Sequence, residues 1–194
     1  MSRAGWPAAR LVLASRSPQR RAILGQLGVP FVQRPVDVEE EAVGEPTALV
    51  LENARRKALA AGAGAGEVVL GVDTIVAVDG EIFGKPPGPD AAAAMLRRLA
   101  GRTHTVASGV ALAYADGHVE PASSTTAVTF RDLTDWFVRW YVATGEWQGR
   151  AGGYAIQGRG AALVTRIDGD YLNVVGLPVA MLIELWPWLL DLTG

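Results

Sequence analysis

Within seven residues, Ser15-Arg16-Ser17-Pro18-Gln19-Arg20-Arg21 gathers two hydroxyls and three guanidinium groups. An apolar run, Leu11 to Ala14, precedes this segment, and the helical spacing of Ile23, Leu24 and Leu27 follows it. A strand would thus lead into a helix start, where unsatisfied backbone N–H groups and the positive end of the helix dipole favour an anion such as a polyphosphate. Arginines in a first turn oppose that dipole, and an anionic ligand accounts for them better than helix stability does. The plainer alternative makes Ser17 an N-cap, Pro18 the first helical residue and the arginines a solvated turn.

Asp73 is the second candidate. It interrupts the nearly continuous apolar run Val68 to Val78, which reads as a strand buried on both faces. A carboxylate placed there needs a cation or a metal, or it is poised as a base; the alternative is a local Asx turn at a strand bulge. Lys57 and Lys85 could carry positive charge to phosphates. Glu40 and Asp73 could hold a divalent cation that bridges phosphate oxygens, for which hard oxygen ligands favour magnesium or manganese. Otherwise Glu40 is a solvated loop acid and Lys57 a snorkelling helix lysine. Ala151-Gly152-Gly153-Tyr154-Ala155-Ile156-Gln157-Gly158 offers close backbone approach, an aromatic face and an amide able to read a base edge, or is simply a glycine-rich turn into a strand. His104 and His118 lack metal-ligand spacing and read as structural or surface residues. No P-loop, dinucleotide fingerprint, nucleophile elbow or zinc-protease helix occurs.

The elements that must position these groups follow from periodicity and punctuation. Phe31 to Pro35 reads as a strand, Asp37 to Glu41 as an acidic loop, and Pro46 opens a helix running to Ala61. In that helix Asn53 and Lys57 flank the apolar stripe at i, i+4 spacing, which lets Lys57 face inward. Asp79-Gly80 signals a hairpin to Glu81-Ile82-Phe83, and the glycine- and proline-rich segment 84–89 supports Lys85 before a helix from Asp90 to Leu99. Thr103 to Tyr114 and Glu120 to Phe130 are strands, Thr134 to Ala143 a helix, Ala162 to Ile167 a strand and Pro178 to Leu190 a closing helix. The aromatic stretch Thr134 to Trp147 is either core or part of a dimer surface.

With 194 residues, 49% of them hydrophobic, the chain can build one α/β core or two lobes sharing a cleft, and one domain spanning 1–194 is expected. Its net charge of −2 gives no footprint for nucleic acid or an anionic membrane. Having no cysteine, it has no disulfide, thiolate catalysis or Cys-ligated zinc. No stretch approaches a transmembrane length and no targeting segment is recognised, which points to the cytoplasm.

Six blocks occur in order: Ser15-x-Ser17-Pro18-x-Arg20-Arg21, Asn53-Ala54-x-x-Lys57-Ala58, Gly71-Val72-Asp73-Thr74, Gly84-Lys85-Pro86, Ala151-Gly152-Gly153-Tyr154-x-Ile156-Gln157-Gly158 and Gly169-Asp170-Tyr171-x-Asn173-Val174-Val175-Gly176-Leu177-Pro178. Together they closely resemble the Maf family of nucleoside triphosphate pyrophosphatases over nearly the whole chain. The resemblance implies an α/β fold similar to the inosine triphosphate pyrophosphatases, with a twisted mixed sheet flanked by helices and a cleft between two lobes. It implies metal-dependent hydrolysis of a nucleoside triphosphate to monophosphate and pyrophosphate. Asp73 matches the proton acceptor, Ser15, Arg20, Lys57 and Lys85 match residues that hold the triphosphate, and Glu40 matches an acid near the metal. Gln19, Thr74 and Gln157 match specificity positions. Thr74 and Gln157 look like the dTTP/UTP branch, whereas Gln19 stands where that branch has arginine, and Gly149-Arg150 stands where Asp-Lys is common. The resemblance further implies a homodimer and a house-cleaning role, with a nucleotide-binding regulator of septum formation and cell division as the rival reading.

Overall fold

The structure is a computed structural model that describes residues 9–193. The expectation that no targeting segment opens the chain, and the start of the expected domain, therefore fall on residues 1–8, outside the described residues.

Seven strands form one mixed sheet: β1 (Arg10–Leu13), β2 (Phe31–Gln33), β3 (Glu67–Val78), β4 (Glu81–Phe83), β5 (Thr103–Tyr114), β6 (Val119–Phe130) and β7 (Val164–Asp168). The order is β2-β1-β3-β5-β6-β7, with β4 paired to β3. β2, β1 and β3 are parallel, whereas β3, β5, β6 and β7 run antiparallel. The expected hairpin turn at Asp79-Gly80 is present, both residues having positive φ, 50° and 79°.

The helices are α1 (Pro18–Gln26), α2 (Pro46–Ala61), α3 (Pro89–Leu99), α4 (Asp135–Ala143), α5 (Tyr171–Val175) and α6 (Val179–Leu185). Strand alternation sorts their packing. Leu70, Val72, Val110 and Leu112 on one sheet face pack with Ile23 and Leu24 of α1 and Leu182 of α6. Further along the same face, Val76, Val78, Val106 and Val128 pack with Leu96 and Leu99 of α3 and Val138 and Tyr141 of α4. The two 12-residue strands β3 and β5 run through both cores, giving two lobes with a cleft between them. On the opposite face Val69, Ala111 and Ala113 pack against Ala54 and Ala58 of α2.

Two expectations about elements need correction. The closing helix does not run from Pro178 to Leu190: α6 ends at Leu185, and a 3-10 segment covers Pro187–Thr193. Pro187 lacks an N–H and disfavours helical backbone at the residue before it, and Trp186 takes φ −133° and ψ 79°. The last strand begins at Val164, after a 3-10 turn over Arg159–Leu163. Helix α5, inside the Gly169 to Pro178 block, lacks enough length to show a period. The aromatic stretch is mostly core, with Tyr141 and Trp147 buried and Trp136 exposed.

Candidate active site

β1 ends at Leu13, opposite Leu70, and β4 begins to pair with β3 only at Val76. Between these points β3 has no strand neighbour on one side, and the candidate residues cluster around this open edge. Substrate sites in open α/β sheets form at the carboxyl ends of parallel strands, which is where β1 delivers Ser15.

Asp73 and Thr74 point to opposite faces of β3. On the α2 face, Asp73 is 5% exposed. Its Oδ1 accepts from Lys57 Nζ at 2.7 Å, and its Oδ2 from Asn53 Nδ2 at 3.0 Å. Lys57 Nζ also lies 2.7 Å from Glu40 Oε1. The Asn53 amide holds the acidic loop in place as well, since Oδ1 accepts from Glu41 N at 2.8 Å and Nδ2 donates to Glu41 O at 3.0 Å. Asp73 is therefore a partnered carboxylate, with no Asx turn, and Lys57 faces inward as its spacing predicts.

α2 reaches this depth because of two glycines. A Cβ on Gly71 would stand 2.1 Å from the Ala54 carbonyl oxygen, and one on Gly109 would stand 2.2 Å from that of Val50. The helix backbone thus rests on the sheet backbone, and Asn53 and Lys57, on the same helix, extend to Asp73.

On the other face of β3, Ser17 does cap α1, its hydroxyl accepting from Arg20 N at 3.5 Å with Pro18 in the first turn. The plainer reading of that turn is therefore correct for Ser17 and Pro18, but Arg20 is no solvated arginine. Its Nε donates to Gly176 O at 2.9 Å, Nη1 to Ser15 Oγ at 2.9 Å and Val72 O at 3.0 Å, and Nη2 to Thr74 Oγ1 at 3.2 Å. Four of these bonds leave one of an arginine's five N–H groups for a ligand. Arg20 therefore ties three chain segments together and caps the carbonyl that β3 presents at its open edge. Burial lowers the proton affinity of its guanidinium, and the charges of Asp73 and Glu40 oppose that shift.

Ser15, Gln19, Arg20, Glu40, Lys57, Thr74, Lys85 and Gln157 all line one cleft of about 430 Å³, a common size for a small-molecule site. Asp73 lies in an adjoining cavity of about 240 Å³ that shares Arg20, Glu40, Lys57, Thr74 and Lys85 with the cleft. All nine sequence-derived candidates are thus brought together. Lys85 and Gln157 are exposed at the cleft, and Thr74 Oγ1 is additionally 2.9 Å from Ser108 Oγ. Sequence reasoning gave no role to Asn53, whose inward position was its signal, or to Arg150.

The donor set suits a hard divalent cation. Among the described residues no group of three or more His, Asp or Glu is arranged so that it could hold a metal ion. Glu40 and Asp73 nevertheless converge on a single positive charge, the Lys57 ammonium. Two carboxylates completed by phosphate oxygens and water are a usual arrangement for magnesium.

His104 supports the far wall. It is 2% exposed, packs edge-on against Phe130 and Tyr154, and has Nε2 2.8 Å from Tyr154 Oη. Nδ1 has no partner, and a neutral ring donating from Nε2–H leaves only a lone pair unpaired. Burial pushes this imidazole down to about 4 from 6.5. Between these values the unfolded chain binds a proton that the folded chain does not, so folding stability falls as pH drops through this window, by about 3 kcal/mol in all. Denaturation of wild type and His104→Gln from pH 7 to pH 4 should show the wild type losing more stability over that range. Parallel curves would sink this assignment.

A family model described as "Maf-like protein" matches residues 10–187. A dTTP/UTP pyrophosphatase of Moorella thermoacetica is 50% identical over 180 residues, covering 91% of this chain and 93% of that protein. One from Pyrococcus furiosus is 41% identical over 179 residues, covering 91% and 93%. Among solved structures, a HAM1 protein from Coxiella burnetii gives a TM-score of 0.47 at 19% identity, covering 63% of this chain and 73% of that one. The six motif blocks, the cleft they build and a family match running from β1 to the end of α6 agree: this chain belongs to the Maf-like protein family.

Proposed function

We propose that this protein hydrolyses dTTP and UTP to the nucleoside monophosphate and pyrophosphate. The observation that carries the reading is the Glu40–Lys57–Asp73 array, with both carboxylates 2.7 Å from one ammonium beside a cleft rich in cations. The names of the relatives support the substrate class.

In the proposed reaction a water oxygen attacks the α-phosphorus while Asp73 accepts its proton. The bridging α–β P–O bond breaks, and pyrophosphate leaves with the bonding pair. Asn53 fixes the carboxylate, so its free lone pairs face a defined point. Lys57, Lys85 and Arg20 offset the charge on the phosphates, and such preorganised charge is the largest contribution in this class of reaction. Ser15 Oγ, already bonded to Arg20 Nη1, can donate its own proton to a phosphate oxygen. A divalent cation held by Glu40 and Asp73 would neutralise phosphate oxygens and polarise the α-phosphorus.

The proposed base readers are Gln19, Thr74 and Gln157. The Ser17 hydroxyl donates to Gln19 Oε1 at 3.2 Å, which leaves the Gln19 NH₂ group to donate to a pyrimidine carbonyl. Gln157 can both donate and accept, as the alternating edge of uracil or thymine requires. The reading includes a homodimer, which rests on the family resemblance, and a cytoplasmic location, which rests on the sequence alone. Among the described residues no helix is long and apolar enough to cross a membrane.

The test is product analysis on a panel of nucleoside triphosphates with magnesium or manganese. The expected result is pyrophosphate and monophosphate from dTTP and UTP, abolished by chelation. Release of orthophosphate, or no turnover of any nucleotide, would overturn the reaction. Preference for another base would overturn only the assignment of the base readers.

A further inference from the structure

Arg150 is a charged residue that neither the motif blocks nor the proposed reaction uses. It is half-buried at the cleft wall, with its Nε enclosed and without a hydrogen-bond partner. By contrast, three arginines elsewhere have carboxylate partners: Arg34 with Glu67 at 2.9 Å, Arg56 with Glu52 at 2.8 Å and Arg97 with Asp135 at 3.0 Å. Tyr141 and Glu146, whose charges act on Arg150, each also accept from a backbone N–H. Tyr141 Oη accepts from Ala155 N at 2.8 Å, and Glu146 Oε2 accepts from Arg159 N at 2.7 Å. Burial lowers the affinity of the Arg150 guanidinium for its proton, against the opposing influence of Tyr141 and Glu146. A guanidinium nevertheless stays charged in proteins, and enclosing one of its N–H groups without an acceptor is unfavourable.

The backbone brings the segment of a second cation against that of Arg150. Gly152 N donates to Gly84 O at 3.1 Å, which ties the segment carrying Arg150 to the segment carrying Lys85. Lys85 lines the same cleft and has no carboxylate partner among the described residues. Together the two side chains present donors and positive charge, with no acceptor. A nucleobase edge needs both donors and acceptors, whereas a phosphate accepts from several donors at once and matches the planar guanidinium fork. We propose that Arg150 binds a phosphate group of the nucleotide, acting as a pair with Lys85 in the cleft that Ser15 and Arg20 also line. This assignment deepens the pyrophosphatase reading and rests on it for the identity of the nucleotide.

Two measurements on wild type, Arg150→Gln and Arg150→Lys test it. In calorimetric titration with inorganic tripolyphosphate, Arg150→Gln should bind about 10- to 100-fold more weakly than wild type, the range for one charged hydrogen-bonding group. Arg150→Lys should recover part of that loss, while the melting temperature of each variant reports that it is folded. In turnover of UTP, dTTP, CTP and GTP, kcat/KM should fall by the same factor for every nucleotide that the wild type hydrolyses. Unchanged tripolyphosphate binding by a folded Arg150→Gln would overturn the assignment, as would a loss that differs between bases, which would make Arg150 a base reader. If the wild type hydrolyses no nucleotide, the pyrophosphatase reading fails, while the tripolyphosphate titration still decides whether Arg150 holds phosphate.

Discussion

Asp73→Asn is expected to lower kcat by about a thousandfold, within the range for loss of a positioned general base, while KM changes by no more than severalfold. The substitution preserves shape and hydrogen-bonding length. Its remaining oxygen can still accept from Lys57, and Lys57 keeps Glu40 at 2.7 Å, so the ammonium is not left as an unpaired charge in the sheet. One contact turns unfavourable, because the new amide cannot present acceptors to both Lys57 and Asn53. The measurements are steady-state turnover of UTP with magnesium and a parallel thermal melt. A variant retaining a tenth or more of the wild-type kcat would remove Asp73 from the proton-transfer step. It would leave the residue as part of the scaffold that holds Lys57 and the acidic loop.

That Asp73 stands out in the sequence is a matter of contrast. One carboxylate in a strand of valines has to be explained, and the i, i+4 pairing of Asn53 with Lys57 beside an apolar stripe supplies its partners. The strand and helix order was legible for the same reason, since β3, β5, β6 and α2 are long enough to show their periods. What remained hidden depends on where elements stop relative to one another. The open edge of β3 exists because β1 ends opposite Leu70 and β4, antiparallel, ends opposite Val76, a coincidence of register that no local pattern encodes. Arg20 reads as a first-turn cation and turns out to spend most of its donors on that edge and on Gly176, 156 residues away. The isolation of Arg150 could not be read either, because a missing partner becomes visible only when every neighbour has been placed. α5, with five residues, and the break before Pro187 show the limit of periodicity at short lengths.

Gly71→Ala is expected to destabilise the fold by about 3 kcal/mol, at the upper end for overpacking a core, and to reduce turnover by more than the lost stability explains. The added methyl would meet the Ala54 carbonyl oxygen at 2.1 Å, the Ala58 nitrogen at 2.7 Å and the Ala58 Cβ at 2.9 Å. The two closest of these atoms are helix backbone, so a rotamer change cannot relieve the contact and α2 itself must lift. Any such movement carries Asn53 and Lys57 with it, since they lie beside Ala54 and Ala58 on the same turns. The bonds of 3.0 and 2.7 Å to Asp73 then lengthen together. Gly25→Ala in α1 is the control, because nothing lies within 4 Å of its added carbon. Removing backbone freedom at an unstrained helical site should leave stability unchanged or raise it by up to about 1 kcal/mol. For a chain of this length the Gly71 variant should melt roughly 6 to 12 °C below wild type, with activity already reduced at temperatures where it is fully folded. If Gly71→Ala melts and turns over like Gly25→Ala, the backbone contact between α2 and the sheet does not set the depth of Lys57, and the positioning of Asp73 must rest on Asn53 and the acidic loop alone.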